Sequence, residues 1–314
     1  MSPAKDLPQA RASATADQAR RGFVPSTGRS LAGRTRDLLQ RRGLRPRKSL
    51  GQNFLLNEAK VERIAAAAVE AAAGGPILEV GAGLGALTTA LAAHGNRVVA
   101  FEVDRRLEAP LAELLSPFDN VELHITDFLA ADLAAAGAGK AFVVAGNLPY
   151  QITTPLLEKL FLAPLCRVLV VTVQREVAQR LRAQPGNKTY GPLTLFCQYY
   201  VETVETVCEL SPGDFLPAPD VSSTALRLVK RSTPPFAEPD AGTFEQVVRA
   251  AFNQRRKTVR SALVGSPLVP ADRDSVAAAL AQAGIDGQRR AETLTMDEFA
   301  ALARELQRLG QTGR

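Results

Sequence analysis

The feature that most constrains the fold of this chain is a regular alternation of apolar and amphipathic segments between residues 77 and 173. Short apolar runs are typical of buried strands, and apolar residues at helical spacing between them are typical of crossover helices. The alternation predicts an α/β fold with a mostly parallel sheet, helices on both faces and right-handed connections. The predicted strands are 77–80, 97–103, 121–125, 141–145 and 168–173, and the predicted helices are 84–93, 106–115 and 155–162.

The pattern changes towards the C-terminus. Residues 201–210 and 224–229 predict two strands joined by a proline-rich loop, which indicates an antiparallel pair at one edge of the sheet. The prolines at 234–235 indicate a linker, and only helical periodicity follows from Thr243 onward. We therefore predict three regions: a basic, disordered arm at 1–47, a Rossmann-like domain at 48–232 and a small all-α domain at 233–314.

The charge of the chain is concentrated at its N-terminus. Residues 1–48 contain 10 Arg and 2 Lys against 3 Asp, a net charge of +9, whereas the whole chain carries +6. This stretch is rich in small residues and proline, which is typical of disorder, and a basic arm suits a polyanion such as RNA. An extension from a mistaken start site and an organellar transit peptide are alternatives. No apolar run is long enough to span a membrane, so we expect a soluble, cytoplasmic protein.

Cysteine and histidine usage argues against several classes of enzyme. The three cysteines contain no CxxC pair, which favours buried thiols over a disulfide framework or a zinc site. The two histidines, His94 and His124, fall beside a helix end and within a predicted strand. A histidine-based hydrolase is therefore not expected, and no metal is expected either.

Polar residues or glycines follow four successive predicted strands. Gly81 opens a glycine-rich turn between a strand and a helix, Glu102 and Asp127 end the next two strands, and Asn147 follows the fourth. Open α/β sheets bind ligands at the carboxyl ends of their strands, so these positions should converge. The turn also satisfies the relaxed dinucleotide fingerprint GxGxx[GA], and Glu102 stands where a ribose-binding acid is expected. NAD is therefore an alternative ligand at this stage.

The segment Asn147-Leu148-Pro149-Tyr150 suits methylation of an exocyclic amine on a flat base. The Asn147 side-chain oxygen can accept an amine N–H, and Pro149 biases Leu148 towards an extended conformation that can aim its carbonyl at the same amine. Tyr150 can stack on the ring. As an isolated four-residue match, the segment would be interpreted as an ordinary strand end followed by a turn.

Two further segments are candidates for substrate contacts. The proline-rich loop after the first edge strand can hold Phe215 as a second stacking wall, although a buried hydrophobic plug is equally compatible with the sequence. The run Arg255, Arg256 and Lys257, extended by Arg260, suits contacts with RNA phosphates. A solvated charged surface is the alternative interpretation of this run.

Seven motifs occur in a fixed order along the chain: KSLGQNFL, EVGAGLGALT, FEVD, TDF, GNLPY, FLPAPDVSS and AFNQRRKT. Together they resemble the motifs of the small-subunit ribosomal RNA adenine N6,N6-dimethyltransferase family. The resemblance runs from about Lys48 to the C-terminus. Related large-subunit rRNA methyltransferases share the first six motifs, and AFNQRRKT favours the small-subunit group. Ala82 and Asn57 depart from the residues common in the family, and neither is needed for a predicted contact.

The resemblance implies an S-adenosylmethionine-dependent methyltransferase that acts as a monomer on small-subunit rRNA during ribosome biogenesis. It implies that Asn53 and Leu55 cover the cofactor, that Gly81 contacts its methionine and ribose, that Glu102 binds the ribose hydroxyls and that Asp127 binds the adenine amine. Asn147 would lie between the cofactor and the target base. The implied substrate is a pair of adjacent adenines in the hairpin loop near the 3′ end of the rRNA.

Three alternatives stay open on the sequence alone. A large-subunit rRNA methyltransferase would use the same fold and cofactor. An NAD-dependent oxidoreductase would explain the glycine-rich turn and Glu102, but it would give no role to the Asn147–Tyr150 segment. A non-catalytic RNA-binding assembly or transcription factor of the same fold would need no intact catalytic segment, so the presence of that segment argues against it.

Overall fold

The structure is a computed structural model that describes residues 30–312. The chain divides into two compact units, and each is described by itself below. The first comprises the chain up to Leu156 together with Ala163–Gln174 and Glu205–Arg227, and the second comprises Leu157–Leu162, Arg175–Val204 and the chain from Leu228 onward. The predicted boundary at 232/233 therefore differs from this division, because residues 175–204 group with the C-terminal helices.

The first unit is built on a seven-stranded sheet with the order β4-β3-β2-β5-β6-β9-β7. The ladders β2–β3, β2–β5, β3–β4 and β5–β6 are parallel, as the alternating pattern predicts. A separate pair of short strands, β1 and β8, is antiparallel. The strands are β1 Phe54–Leu55, β2 Ile77–Val80, β3 Val98–Glu102, β4 Val121–Ile125, β5 Phe142–Asn147, β6 Cys166–Gln174, β7 Val201–Leu210, β8 Phe215–Leu216 and β9 Ser223–Lys230.

Strands β7 and β9 form the predicted antiparallel edge pair. Thr224 of β9 bonds to Glu209 of β7, whereas Arg227, further along β9, bonds to Glu205, which precedes Glu209. Partners that advance along one strand and retreat along the other define antiparallel pairing. The prediction is therefore confirmed.

Twelve α-helices are present in the described residues. Asn57 caps the helix Glu58–Ala72, since its side chain accepts a hydrogen bond from the Lys60 amide. The helices are α1 Leu31–Arg41, α2 Glu58–Ala72, α3 Ala86–Ala93, α4 Glu108–Leu115, α5 Leu133–Ala136, α6 Thr153–Leu162, α7 Arg175–Leu181, α8 Pro192–Tyr200, α9 Ala241–Phe252, α10 Val259–Val264, α11 Arg273–Gln282 and α12 Met296–Thr312. No helix in this part of the chain is long and apolar enough to cross a membrane.

The N-terminal segment corrects one prediction. Residues 31–41 form helix α1, which Ser30 caps by accepting a hydrogen bond from the Gly33 amide. Leu39 is buried in a cluster with Leu107 and Leu111, and Leu38 packs against the same cluster. The prediction of disorder is therefore wrong for residues 30–47, because Leu39 is buried in this cluster and both Leu38 and Leu44 pack against it. Residues 1–29 of the predicted arm lie outside the described residues.

The second unit contains helices α7 to α12, as well as the ends of neighbouring elements. Its C-terminal part is all-helical, as predicted, and α9 buries Phe244, Val247 and Val248 at the expected spacing. Sequence reasoning missed α7 and α8, which lie before the edge strands. The three cysteines, Cys166, Cys197 and Cys208, are buried, as predicted.

Candidate active site

A cleft of about 630 Å³ opens at the carboxyl ends of β2, β3, β4 and β5, within the first unit. One wall consists of strand ends and the opposite wall consists of residues 50–54, which belong to a segment that we call the strap, residues 47–56. The lining residues are Leu50, Gly51, Gln52, Asn53, Phe54, Val80, Gly81, Gly83, Phe101, Glu102, Val103, Thr126, Asp127, Phe128, Asn147, Pro149, Ile152 and Leu156.

The glycine-rich turn between β2 and α3 forms the floor of the cleft. The amides of Gly81 and Ala82 both donate to the Phe101 carbonyl at 2.9 Å, which fixes the turn against β3. Gly81 has a φ of +73°, and a Cβ at this position would meet no atom within 4 Å. The backbone is therefore open to a ligand here. Gly85 is required for packing instead, because a Cβ there would lie 2.5 Å from Leu114.

Glu102 is buried at the end of β3 and is bonded to the glycine-rich turn. One carboxylate oxygen accepts the Gly83 amide at 2.8 Å, and the other accepts the Asp104 amide at 2.9 Å. Burial raises the pKa of Glu102, and these amide donors oppose the rise. Each oxygen keeps a second lone pair for a hydroxyl donor. Glu102 therefore both shapes the turn and presents acceptors to the cleft.

Asp127 lies at the exposed rim, beyond the end of β4. Its Oδ1 atom accepts the Leu129 amide at 2.9 Å, which orients the carboxylate. The neighbouring residues Thr126 and Phe128 also line the cleft, and Phe128 packs edge-on against Phe101. Asp127 thus combines the turn-forming role that its sequence context allows with a position suited to an amine donor.

Asn147 is the last residue of β5 and faces the strap across the cleft. Its Nδ2 donates to the Asn53 carbonyl at 2.8 Å, which fixes the orientation of the side-chain amide. Its Oδ1 is buried and has no hydrogen-bond partner among the described residues. A buried acceptor without a donor is costly, so its presence at a cleft wall indicates a place for an external N–H.

The residues after Asn147 take different positions. The Leu148 side chain is buried, and its amide donates to the Thr172 carbonyl at 3.1 Å. Pro149 lines the cleft. Tyr150 is half-buried and does not line the cleft, and its hydroxyl lies 2.7 Å from Ser223 Oγ. Burial raises the pKa of Tyr150, which keeps the phenol neutral.

Leu55, near the end of the strap, and Phe215 are not among the residues that line the cleft. Both side chains are buried, and the two residues face each other in the antiparallel β1–β8 pair. The structure thus places Phe215 as a hydrophobic contact beneath the proline-rich loop, which sequence reasoning had held as an equal alternative to a stacking wall. Asn53 does line the cleft, and its side-chain Nδ2 donates to the Gly51 carbonyl at 3.1 Å.

The predicted RNA-binding cations lie in the second unit, in the turn between α9 and α10 and at the start of α10. Arg256 and Lys257 are exposed and have no ion pair among the described residues. Arg255 donates to the Lys188 carbonyl at 2.8 Å and lies 3.6 Å from Glu292, while Arg260 is half-buried. The cluster is thus a turn with one anchored member, and we call residues 253–258 the basic turn.

Sequence reasoning missed three polar residues that surround the cleft. Asp104 is buried and bonds to Gln52 of the strap, and Ser223 fixes the Tyr150 hydroxyl. Glu79 is fully buried under the glycine-rich turn, and burial raises its pKa to about 8. The only sequence signal was their position within the quoted motifs, and Gln52 and Tyr150, which bond to Asp104 and Ser223, lie far away along the chain.

The residues of the cleft fit a cofactor that carries a ribose and an adenine. Gly81 leaves open backbone, Glu102 offers buried acceptors for hydroxyls, and Asp127 offers an acceptor at the rim. The apolar side chains of Phe101, Val103 and Phe128 provide surfaces for a flat ring, as in many cofactor sites.

Comparisons with known proteins agree with this geometry. A model of the family described as ribosomal RNA adenine dimethylase matches residues 43–308. The ribosomal RNA small subunit methyltransferase A of Moorella thermoacetica is 46% identical over 286 residues, which cover 88% of this chain and 97% of that protein.

Two solved structures are similar to this chain. The 23S rRNA methyltransferase ErmE has a TM-score of 0.59 at 29% identity, covering 81% of this chain and 100% of that one. A dimethyladenosine transferase from Plasmodium falciparum has a TM-score of 0.66 at 23% identity, covering 82% and 98%, which supports the fold. The chain belongs to the ribosomal RNA adenine dimethylase family and is an S-adenosylmethionine-dependent methyltransferase.

Proposed function

We propose that this protein transfers methyl groups to N6 of two adjacent adenines in the hairpin loop near the 3′ end of small-subunit rRNA, during ribosome biogenesis. The observation that carries the proposal is the buried, unpartnered Oδ1 of Asn147 at the cleft wall. An exocyclic amine of a flat base supplies the N–H that this atom needs. The 46% identity to a small-subunit rRNA methyltransferase supports the choice of RNA substrate.

The bound cofactor supplies an electrophilic methyl group. The protein must make adenine N6 nucleophilic, because the lone pair of this nitrogen is delocalised into the ring. Acceptors at Asn147 Oδ1 and at the Leu148 carbonyl would bond to the two N6 hydrogens and favour a pyramidal nitrogen whose lone pair points to the methyl group. Preorganised acceptors of this kind cost no reorganisation during the reaction.

The cleft has groups that can bind and orient the cofactor and the target adenine, but its described lining includes no strong proton acceptor. Glu102 and Asp127 are the only titratable residues among the described lining residues. Glu102 is bonded through both oxygens to backbone amides, and we assign it to the cofactor ribose. An alkylated N6 is cationic and acidic, so its proton can pass to water without a dedicated base.

We assign the remaining predicted residues by their positions. Gly81 would contact the methionine and ribose part of S-adenosylmethionine, Asp127 its adenine amine, and Asn53 would cover it from the strap. Leu55 would act through packing, because its side chain is buried and it pairs with Phe215. Tyr150 and Phe215 would provide apolar walls for the unstacked target base, and this role requires Phe215 to become accessible on RNA binding.

The partner in this proposal is the small-subunit rRNA within an immature subunit, met by a monomer in the cytoplasm. Arg255, Arg256, Lys257 and Arg260 would contact RNA phosphates. The lower identity to a 23S rRNA methyltransferase, 29%, disfavours the large-subunit alternative. The NAD alternative leaves the Asn147 acceptor without a role. A purely RNA-binding function would not need an acceptor-lined cleft.

A reconstitution experiment tests the proposal. Small subunits lacking N6 methylation are incubated with the purified protein and isotopically labelled S-adenosylmethionine, and each rRNA adenine is mapped by mass spectrometry. We expect two dimethylated adenines in one hairpin loop. Large subunits and protein-free rRNA serve as competing substrates. Methylation of large-subunit rRNA alone, or none with any substrate, would refute the assignment.

A further inference from the structure

Asp104 has no role in the proposed chemistry, yet it is one of the most buried charged residues in the first unit, with 2% exposure. Its carboxylate accepts Gln52 Nε2 at 3.0 Å and is bracketed by Arg106, with Nε at 2.9 Å and Nη2 at 2.6 Å. The Arg47 guanidinium lies 3.7 Å away. The Arg106 bonds hold the pKa of Asp104 at about 2, so the group is charged at any working pH. Charge-assisted donors on several sides fix its orientation.

Gln52 transmits this fixed position to the strap. Its Nε2 donates to Asp104, and its Oε1 accepts the Arg47 amide at 2.8 Å. The Gln52 side-chain amide is therefore bonded through both its nitrogen and its oxygen, to Asp104 just after β3 and to Arg47 at the start of the strap. Gln52 itself lines the cleft, so the strap is held against the wall where the cofactor would bind.

The next residue of the strap holds the opposite wall. The Asn53 carbonyl accepts Asn147 Nδ2 at 2.8 Å, and close by Gln151 donates to the Lys48 carbonyl at 3.0 Å. A continuous series of contacts thus runs from Asp104 through Gln52 and Asn53 to Asn147. Because Asn147 Nδ2 is bonded to the strap, its Oδ1 is turned away from the strap and left as a free acceptor.

We infer that Asp104 is a positioning residue that fixes the strap across the cleft and thereby sets both cofactor retention and the orientation of the Asn147 amide. The inference rests on the proposed function, since it gives the oriented Asn147 oxygen a role in accepting the amine. Without Asp104, Gln52 loses its acceptor, the Asn53 carbonyl is no longer fixed, and the Asn147 amide is free to rotate.

A merely structural role for Asp104 makes a different prediction. Asp104 also caps a short 3₁₀ turn, Arg105–Leu107, by accepting the Arg106 amide at 3.2 Å. If that cap were its whole contribution, its loss would lower overall stability without a selective effect on the strap. Asp132 is a matched control, because it caps α5 through the Ala134 and Ala135 amides and does not line the cleft.

The test compares Asp104→Asn, Asp104→Ala and Asp132→Ala by hydrogen exchange in the free protein. We expect amides 48–53 to exchange at least tenfold faster in Asp104→Ala, with a smaller effect in Asp104→Asn and none in Asp132→Ala. Amides of β2 should stay as in the wild type. This measurement uses neither RNA nor cofactor, so its result is independent of whether the proposed substrate is correct.

Binding and turnover complete the test. Calorimetry should show S-adenosylmethionine binding at least tenfold weaker in Asp104→Ala, and kcat at saturating cofactor should fall about tenfold while the KM for RNA changes less than twofold. If Asp104→Ala does not fold, Gln52→Ala breaks the link while Asp104 keeps its Arg106 bonds, and it should loosen the same amides. Wild-type exchange and cofactor affinity in both Asp104→Asn and Gln52→Ala, or an equal change in Asp132→Ala, would overturn the inference.

Discussion

The cleft and the basic turn were both predicted from short motifs, but the fold holds their side chains in different ways. In the cleft, Glu102 and Asn147 are bonded to the glycine-rich turn and the strap, so each functional atom has a fixed direction. In the basic turn, Arg256 and Lys257 are exposed and free of ion pairs in the described chain. The cleft thus depends on position and the basic turn on charge, and this difference sets the size of the expected mutational effects.

The largest effect is expected from Asn147→Ala. Loss of a preorganised acceptor for the amine should lower kcat by about 10²-fold or more. Stability should change little, because the variant loses one side-chain hydrogen bond, from Asn147 Nδ2 to the Asn53 carbonyl, and Oδ1 has no partner among the described residues. Single-turnover methylation of small-subunit RNA measures the effect, with thermal unfolding as the control. Near-normal turnover would show that the cleft does not depend on this acceptor.

The second prediction concerns Glu79, the buried carboxyl below the glycine-rich turn. Its folded-state pKa of about 8 exceeds the ordinary value of 4.5, so the folded state retains a proton that the unfolded chain releases. The stabilisation is complete below about pH 4.5 and is lost as the pH rises to about 8. Glu79→Gln, which stays neutral, should therefore be more stable than wild type at pH 8, by a few kcal/mol.

Denaturant unfolding of both proteins at pH 5 and pH 8 checks this prediction. The advantage of Glu79→Gln should be present at pH 8 and nearly absent at pH 5. An equal difference at both pH values would mean that Glu79 is ionised in the folded protein.

The third prediction separates the two tasks of Glu102. Glu102→Gln keeps the size of the side chain and one acceptor, but it loses the charge and brings an amide donor against the backbone amides that the carboxylate accepts. S-adenosylmethionine binding should weaken about tenfold, in line with the loss of charge-assisted hydrogen bonds. RNA affinity measured without cofactor should stay the same. A parallel loss of RNA affinity would mean that the cofactor wall also supports the RNA-binding surface.

The sequence predicted one wall of the cleft far better than the other. Parallel strands bring their carboxyl ends to one edge of the sheet, so the sequence alone predicts that four residues lie close together there: Gly81, Glu102, Asp127 and Asn147. The strap has no such periodicity. Its contact between Gln52 and Asp104 joins residues 52 positions apart, and only tertiary packing determines it.

Composition also misled the prediction at the N-terminus. Arginines and small residues suggested disorder up to residue 47, although Leu38 and Leu39 of α1 pack in the cluster that contains Leu107 and Leu111. A few apolar residues at the correct spacing were sufficient for docking, because the neighbouring cluster supplies the remaining buried surface. The role of Phe215 was likewise undecided, since an aromatic in a proline-rich loop can be either a stacking surface or a buried hydrophobic contact. The structure buries it opposite Leu55.

The fourth prediction concerns the basic turn. Replacing Arg255, Arg256 and Lys257 together with Gln should reduce the slope of log affinity against log salt by about 2, because each single-strand phosphate contact contributes roughly 0.7. The KM for RNA should rise several-fold at physiological salt, while kcat and cofactor affinity stay near wild type. An unchanged salt slope, measured by fluorescence anisotropy across a salt series, would exclude the basic turn from RNA binding.

The smallest effect is expected on helix α1, where paired and unpaired arginines allow a matched comparison. Arg34 and Arg42 form ion pairs with Glu58 and Glu113, whereas Arg36 and Arg41 are exposed and form no ion pair within the described residues. If the N-terminal segment attracts RNA without sequence preference, the double variant Arg36→Gln and Arg41→Gln should lower the slope of log affinity against log salt by about 1. The double variant Arg34→Gln and Arg42→Gln should lower the slope less, because in the wild type these two cations are already partly neutralised by Glu58 and Glu113. Target choice, read by mass mapping of the methylated adenines, should be wild type in both. A shift in target choice in the first variant would mean that α1 positions the RNA as the cleft positions the base, and that charge alone does not describe its contribution.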